Sequence, residues 1–315
     1  MTDNKKETGI NGVINVYKEQ DFTSHDVVAK MRGILKIKKI GHTGTLDPKA
    51  EGVLPICIGN ATRICDILTD RSKEYLAVMK LGIRTDTLDV FGQITAMADA
   101  DKVLSQSEEL IRETVKGFQG KIVQIPPMYS AIKVGGKKLY ELAREGKEIE
   151  RKGREVFIDS IEIKRIDLPY VEIYVKCSKG TYIRTLCDDI GERLGVFAAM
   201  SSLIRTRVGN FCADDARRID EIEKLRDEGR LNEIIVPADR IFKEYKSIVR
   251  DSVMKGHEEI YEKLLYNGNP ISLSLFREEE ITSERFRMYD LSGNFKGIYS
   301  LDQKKERLTP YKMFL

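Results

Sequence analysis

The chemistry this chain could perform is concentrated in GHTGTLDPKAEGVLPICIG, Gly41 to Gly59, where Asp47 stands among the hydrogen-bonding residues His42, Thr43 and Thr45. Gly44 and Gly52 give the backbone freedom that larger residues resist, and Pro48 fixes the chain just after the acid. Such a loop would be rigid and open, and a carboxylate presented by it can act covalently or electrostatically. The apolar VLPICIG that follows reads as a buried strand anchoring the loop. Leu-Asp-Pro is equally a way to make a turn, and local chemistry leaves both readings open. A glycosidase would need paired acids, and only Asp47 is a credible one here. His25, His42 and His257 are scattered, so no metal site is expected.

The elements that must hold this loop can be read along the chain. GVINVYK (Gly12 to Lys18) alternates as a strand, and Thr23 with Asp26 forms a capping arrangement ahead of a helix with Val27, Val28, Met31 and Leu35 on one face. NATRICDILTD reads as a short helix, YLAVMKLGI as a strand, and QITAMA as that strand's partner. SEELIRETVKGFQG is an amphipathic helix with Ser107 as its cap and Gly120 beyond its end. REVFIDSIEIKRI and YVEIYVKC are longer strands, TYIRTLCDDIGERLG is a helix, and DDARRIDEIEKLRDEG is a charged helical stretch. Strands in runs with interspersed helices predict an α+β fold around a mixed central β-sheet with flanking helices. From about Lys246 the pattern becomes short strands and turns, with a hairpin at Gly293, predicting a small C-terminal β domain.

The 315 residues carry a net charge of only +3, which does not by itself mark a nucleic-acid binder. Local distribution says more. Between Lys133 and Arg154 eight Lys/Arg face four Glu, and residues 30 to 39 add Lys30, Arg32, Lys36, Lys38 and Lys39 without an acid. Two such clusters flanking the Asp47 loop point to a polyanion. The tail from 251 to 315, with ten Lys/Arg and eleven Asp/Glu, carries no such signature. No run of about 18 apolar residues is present, so no membrane span is expected. Five cysteines without CxxC spacing fit reduced thiols in a cytoplasmic protein, with Cys57, Cys65, Cys177 and Cys187 as small core residues.

The Asp47 segment resembles the catalytic motif of the TruB family of tRNA pseudouridine synthases. KEYLAVMKLGIRTDTLDVFG (Lys73 to Gly92) is similar to the family's second block, and QIPPMYSAIKVGGKKLYELAREG (Gln124 to Gly146) to its third. CSKGTYIRTLCDDIGERLG (Cys177 to Gly195) is similar to the fourth and LIRTRVGNF (Leu203 to Phe211) to the fifth. These ordered blocks span roughly residues 12 to 220. Two departures stand out: Glu19 and Asp21 replace the proline and glycine of a Lys-Pro-x-Gly run that keeps Lys18, and Ile204 stands where arginine is frequent, with Arg205 and Arg207 nearby.

The resemblance implies the pseudouridine synthase fold and an isomerase acting on uridine 55 in the T loop of tRNA, by base flipping and without a cofactor. It assigns Asp47 as the catalytic aspartate, Arg184 as its ion-pair partner and Tyr75 as the ring on the flipped base. His42, Tyr182, Leu203 and Lys18 are expected at the substrate, and Lys133, Lys137, Lys138 and Arg144 at the RNA, in a gripping insertion at about 124–154. That insertion favours a stand-alone, monomeric enzyme over relatives that work in guide-RNA particles. The implied domains are a disordered tail at 1–10, a catalytic domain at 11–245 and a PUA-like β domain at 246–315. The same chemistry on another RNA, and an RNA-folding factor with dispensable activity, remain the alternatives.

Overall fold

The structure is a computed structural model and describes residues 10–314, so the tail expected at 1–10 lies outside the described residues except for Ile10, which packs against buried Val28 and its neighbours. A ten-stranded sheet forms the body. Its long strands are β1 (Gly12–Lys18), β2 (Glu51–Ile58), β3 (Lys73–Leu81), β4 (Gly120–Gln124), β5 (Arg154–Asp167), β6 (Tyr170–Cys177) and β7 (Ala198–Val208). They run in the order β1-β2-β7-β3-β6-β5-β4, with Ile235–Val236 outside β1. Only β2 and β7 pair in parallel, which makes the sheet mixed as expected.

The sequence explains the placement. β2 is apolar almost throughout and is buried on both faces, as a central strand must be. β3 alternates, with Tyr75, Ala77, Met79 and Leu81 turned inward. In the ladder Arg205 of β7 stands opposite Tyr75 and beside Gly52 of β2, so the three share one face. Helices α1 (Ser24–Leu35), α2 (Glu108–Lys116), α3 (Ile183–Arg193) and α4 (Ile219–Asp227) cover that face. α1 starts at a complete Thr23–Asp26 capping box and α2 at Ser107.

Three expectations need correction. QITAMA meets YLAVMKLGI only at the latter's last residue: Ile94–Met97 pair with the short strand Ile83–Thr85, which Gly82, at φ +96°, separates from Lys73–Leu81. NATRICDILTD is not one helix but a 3-10 turn, Gly59–Ile64, running into the helical turn Cys65–Thr69. The C-terminal region contains a helix the turn-rich pattern hid, α5 (Glu258–Tyr266), with Tyr261 and Leu265 buried. Around it, β8 (Lys246–Ile248), β9 (Arg285–Tyr289), β10 (Phe295–Asp302), β11 (Arg307–Met313) and Ile271–Ser272 form a separate five-stranded sheet. The hairpin at Gly293 joins β9 to β10. This second body packs through Ile298 against Val13, Val53 and Cys57, on the sheet face opposite the helices.

Candidate active site

The Asp47 loop joins the short strand Ile40–His42 to β2 and is tied down from three directions. Asp47 opens a turn, its carbonyl accepting from the Ala50 amide at 3.1 Å with Pro48 in the second position. Turn and carboxylate display are thus one feature. From α1, the Ser24 hydroxyl accepts from the Leu46 amide at 2.9 Å. From β1, Lys18 Nζ donates to the carbonyls of Ala50 (2.6 Å), Pro48 (3.1 Å) and Glu19 (3.0 Å). From β7, Arg205 donates to Val53 (2.7 Å), Gly44 (3.2 Å) and Thr45 (3.5 Å).

Lys18 was expected at the substrate, and its geometry argues otherwise. The residue is wholly buried and its three ammonium donors are all engaged by loop carbonyls, leaving none for RNA. Burial lowers its pKa to about 8, with Asp47 the largest influence opposing that shift. It is a loop anchor. The replacement of proline and glycine at Glu19 and Asp21 is accommodated: the Asp21 amide reaches the Pro48 carbonyl at 2.9 Å and its carboxylate pairs with Lys49.

Asp47 and Arg184 meet as the resemblance implied. Arg184 lies in the first turn of α3, and its Nε and Nη2 reach the two carboxylate oxygens at 2.9 and 3.2 Å. This two-pronged pairing fixes direction as well as charge. The Asp47 side chain keeps 37% of its surface exposed while that of Arg184 keeps 6%, so the acid is reachable and the guanidinium is not. Arg184 also donates to the Thr87 carbonyl at 2.9 Å and the Tyr129 carbonyl at 2.8 Å, and stands 3.8 Å from Asp89. One side chain therefore joins the Asp47 loop, the loop after Thr85 and the start of the insertion. Asp89 holds its own loop by accepting from the Thr87 hydroxyl and the Phe91 amide.

Tyr75 is buried in the same apolar cluster as Leu46, Ala50 and Leu203, close enough to Asp47 for the carboxylate to act on its phenol. Burial pushes its phenol up to about 12, against the lowering influence of Arg205. Tyr182 caps α3, and its backbone amide and carbonyl exchange hydrogen bonds with the buried side-chain amide of Gln124. Burial raises its pKa, and both Arg184 and Asp47 act on it, which brings it to the same site. His42 is half-buried with its ring edge-on to His25, centroids 5.4 Å apart, and its Nδ1 accepts from the Gly44 amide. Burial and His25 lower its pKa, favouring the neutral ring.

The insertion forms a small hairpin, Lys133–Val134 with Lys137–Lys138, turned by Gly135 and Gly136 at positive φ, and then a helical turn, Leu139–Arg144. Lys133 is exposed, while Lys137 pairs with Glu145 at 3.2 Å. Lys138 and Arg144 both lie over the Tyr140 ring, at 5.3 and 5.5 Å. In the other basic cluster Arg32 spends its donors on the carbonyls of Lys38 and Ile40.

Sequence reasoning missed Asp89 and counted Arg205 only as a nearby cation. For Arg205 a signal was present: it shares the parity of Leu203 along β7, so a strand that turns Leu203 inward turns Arg205 inward too. Nothing comparable distinguished Asp89, whose role depends on a fold-back of its loop.

Known proteins place this geometry in context. Residues 32–183 match the model of the TruB family pseudouridylate synthase N-terminal domain, and residues 184–243 match that of the tRNA pseudouridylate synthase B C-terminal domain. A tRNA pseudouridine synthase B from Lachnoclostridium phytofermentans is 47% identical over 97% of this chain and 100% of its own. Its counterpart in Bacillus pumilus is 50% identical over 95% and 96%, and that in Clostridium tetani 46% over 92% and 95%. Among solved structures, one of a Cbf5-Nop10-Gar1 complex aligns with a TM-score of 0.70 at 26% identity, covering 96% of this chain and 85% of that one.

Proposed function

Because the chain belongs to the TruB family of pseudouridylate synthases, we propose that it isomerises uridine 55 in the T loop of tRNA, with Asp47 as the catalytic carboxylate. The enzyme is an isomerase. The bond from the ribose C1′ to N1 breaks, the base turns over, a C1′–C5 bond forms, the C5 proton leaves and N1 takes up a proton, so the product is an isomer of the substrate. The target must first leave its stack, since the reacting atoms are otherwise out of reach. Asp47 then acts at the base or sugar, held in one orientation by the fork of Arg184. Tyr75 stacks on the everted uracil, with Leu203 and Tyr182 as further walls of the pocket. His42, neutral and beside the loop, stacks on the opened T loop.

The observation that carries this reading is the bidentate pair: an accessible carboxylate fixed by a shielded arginine at the end of a three-way-anchored loop. In the same reading, residues 11–245 are the catalytic unit, the hairpin and helix near 124–154 close on tRNA phosphates through Lys133, Lys137, Lys138 and Arg144, and residues 246–315 form a PUA-like body. The enzyme works as a cytoplasmic monomer without an obligate protein partner. The test is tritium release from unmodified tRNA transcript labelled at C5. Wild type releases label from the T loop and Asp47→Ala releases none; release by Asp47→Ala, or wild-type release only from ribosomal RNA, overturns the reading.

A further inference from the structure

Phe91 leaves 60% of its surface exposed in a loop that is otherwise densely bonded. The loop turns through Leu88 at φ +61°, a conformation that L side chains resist. It is fixed to β7 by the Val90 amide, which donates to the Met200 carbonyl at 2.9 Å, and by the Met200 amide, which donates to the Leu88 carbonyl at 3.0 Å. The Phe91 amide itself donates to the Asp89 carboxylate at 3.1 Å. At Gly92 a Cβ would stand 2.3 Å from oxygens of Asp86 and Thr87, so the turn closes tightly just after Phe91.

Single exposed apolar side chains are ordinary on a surface, but this one borders the site. Arg184 joins its loop to the Asp47 loop, bonding to the Thr87 carbonyl and to the Asp47 carboxylate. Lys49, two residues after Asp47, lies over the Phe91 ring with Nζ 5.4 Å from the centroid, and it also pairs with Asp21. The cation takes one face of the ring, and the exposure that remains leaves the other face open.

We propose that Phe91 is a further substrate contact: its open face stacks on a nucleobase of the T loop beside the everted uridine, while Lys49 holds the opposite face. The inference deepens the pseudouridine synthase reading and rests on it. Eversion removes a base from the stack and uncovers the faces of its neighbours. A flat apolar ring covers such a face without reading a base edge, since every base presents one. The loop is bonded in place before RNA arrives, so little ordering is needed to present the ring. RNA is favoured over a protein partner because the ring lies next to the Asp47 loop, where the everted nucleotide must enter, and beside a half-exposed lysine.

The experiment is filter binding of unmodified T-arm stem-loops, intact or with one T-loop nucleotide made abasic, each position other than the target in turn. Phe91→Ala and Phe91→Leu bind the intact stem-loop about tenfold more weakly than wild type, and Phe91→Tyr, which keeps a flat ring, binds as wild type does. At one abasic position wild type falls to the affinity of Phe91→Ala, which itself loses nothing more there. At saturating RNA the kcat of Phe91→Ala for tritium release stays within about twofold of wild type, which also reports an intact fold. Phe91→Ala at wild-type affinity overturns the proposal and leaves the ring to a protein partner. Phe91→Leu equal to wild type, a loss that persists at every abasic position, or a kcat that falls with affinity overturns it as well. Wild type that releases no tritium from the T loop instead sinks the underlying reading.

Discussion

At the scale of single residues the site is a matter of direction as much as charge. Arg184 has five donors, and they are spread over the Asp47 carboxylate, two carbonyls from separate loops and the neighbourhood of Asp89. A lysine could supply the charge but not the planar fork, so it would leave carbonyls unpaired and the carboxylate free to swing. Arg184→Lys should therefore lower kcat for tritium release by about 10²-fold or more, while tRNA affinity in filter binding stays within about twofold. Lysine at full activity would mean that charge alone suffices. Lys18 teaches the complementary point: a buried cation close to Asp47 donates only to backbone carbonyls.

Among the elements, the parallel contact between β2 and β7 is the tightest joint of the site. Gly52 sits there at φ +105°, a conformation L side chains resist, with the Arg205 backbone where a Cβ would go. Gly52→Ala should destabilise the protein by about 3 kcal/mol or more, seen as a lower denaturation midpoint. A midpoint equal to wild type would mean that the strands can part without cost. The hairpin of the insertion works differently: Lys133 and Lys137 are exposed, Lys138 is half-buried, and Lys137 and Lys138 reach Glu145 and Tyr140 of the helical turn that follows. The pair Lys137–Glu145 is a surface one and costs little to break. Neutralising Lys137 and Lys138 together should flatten the slope of log affinity against log salt by about 1.5. An unchanged slope would remove this hairpin from the RNA contact.

The molecule as a whole is two bodies joined across one sheet face, with the Asp47 loop on the other. The join is apolar through Ile298, Val13 and Val53, and rimmed by Lys312–Asp66 at 2.5 Å and by Arg63 donating to the Met313 carbonyl. Asp290, 1% exposed, organises the C-terminal body by accepting from Ser292, Asn294 and Tyr266 and pairing with Lys296 at 3.2 Å. Burial alone would raise its pKa, but the Asn294, Tyr266 and Lys296 contacts outweigh it and hold the carboxyl well below the ordinary range. A depressed folded value means the stabilisation is complete above the unfolded value near 4 and is lost as pH falls through the folded one. Asp290→Asn should cost about 2 kcal/mol at neutral pH and remove that part of the acid dependence, read as urea midpoints of near-ultraviolet circular dichroism between pH 3 and 7. Equal midpoints across that range would refute it.

Chain pattern alone determined a good deal here. Alternation fixed the long strands, Thr23–Asp26 and Ser107 fixed two helix starts, and the glycines and proline around Asp47 fixed a rigid display of one acid, because each of these depends on neighbours a few residues away. The short strand at Ile94–Met97 found a different partner, and α5 lay hidden among turn signals, since pairing and burial there depend on distant segments. Parity with Leu203 could turn Arg205 inward, but tertiary structure alone decided which carbonyls Lys18 and Arg205 would meet there. The physical reason is that a cation's partner is set by which strands become neighbours, and β2 meets β7 across some 150 residues of chain.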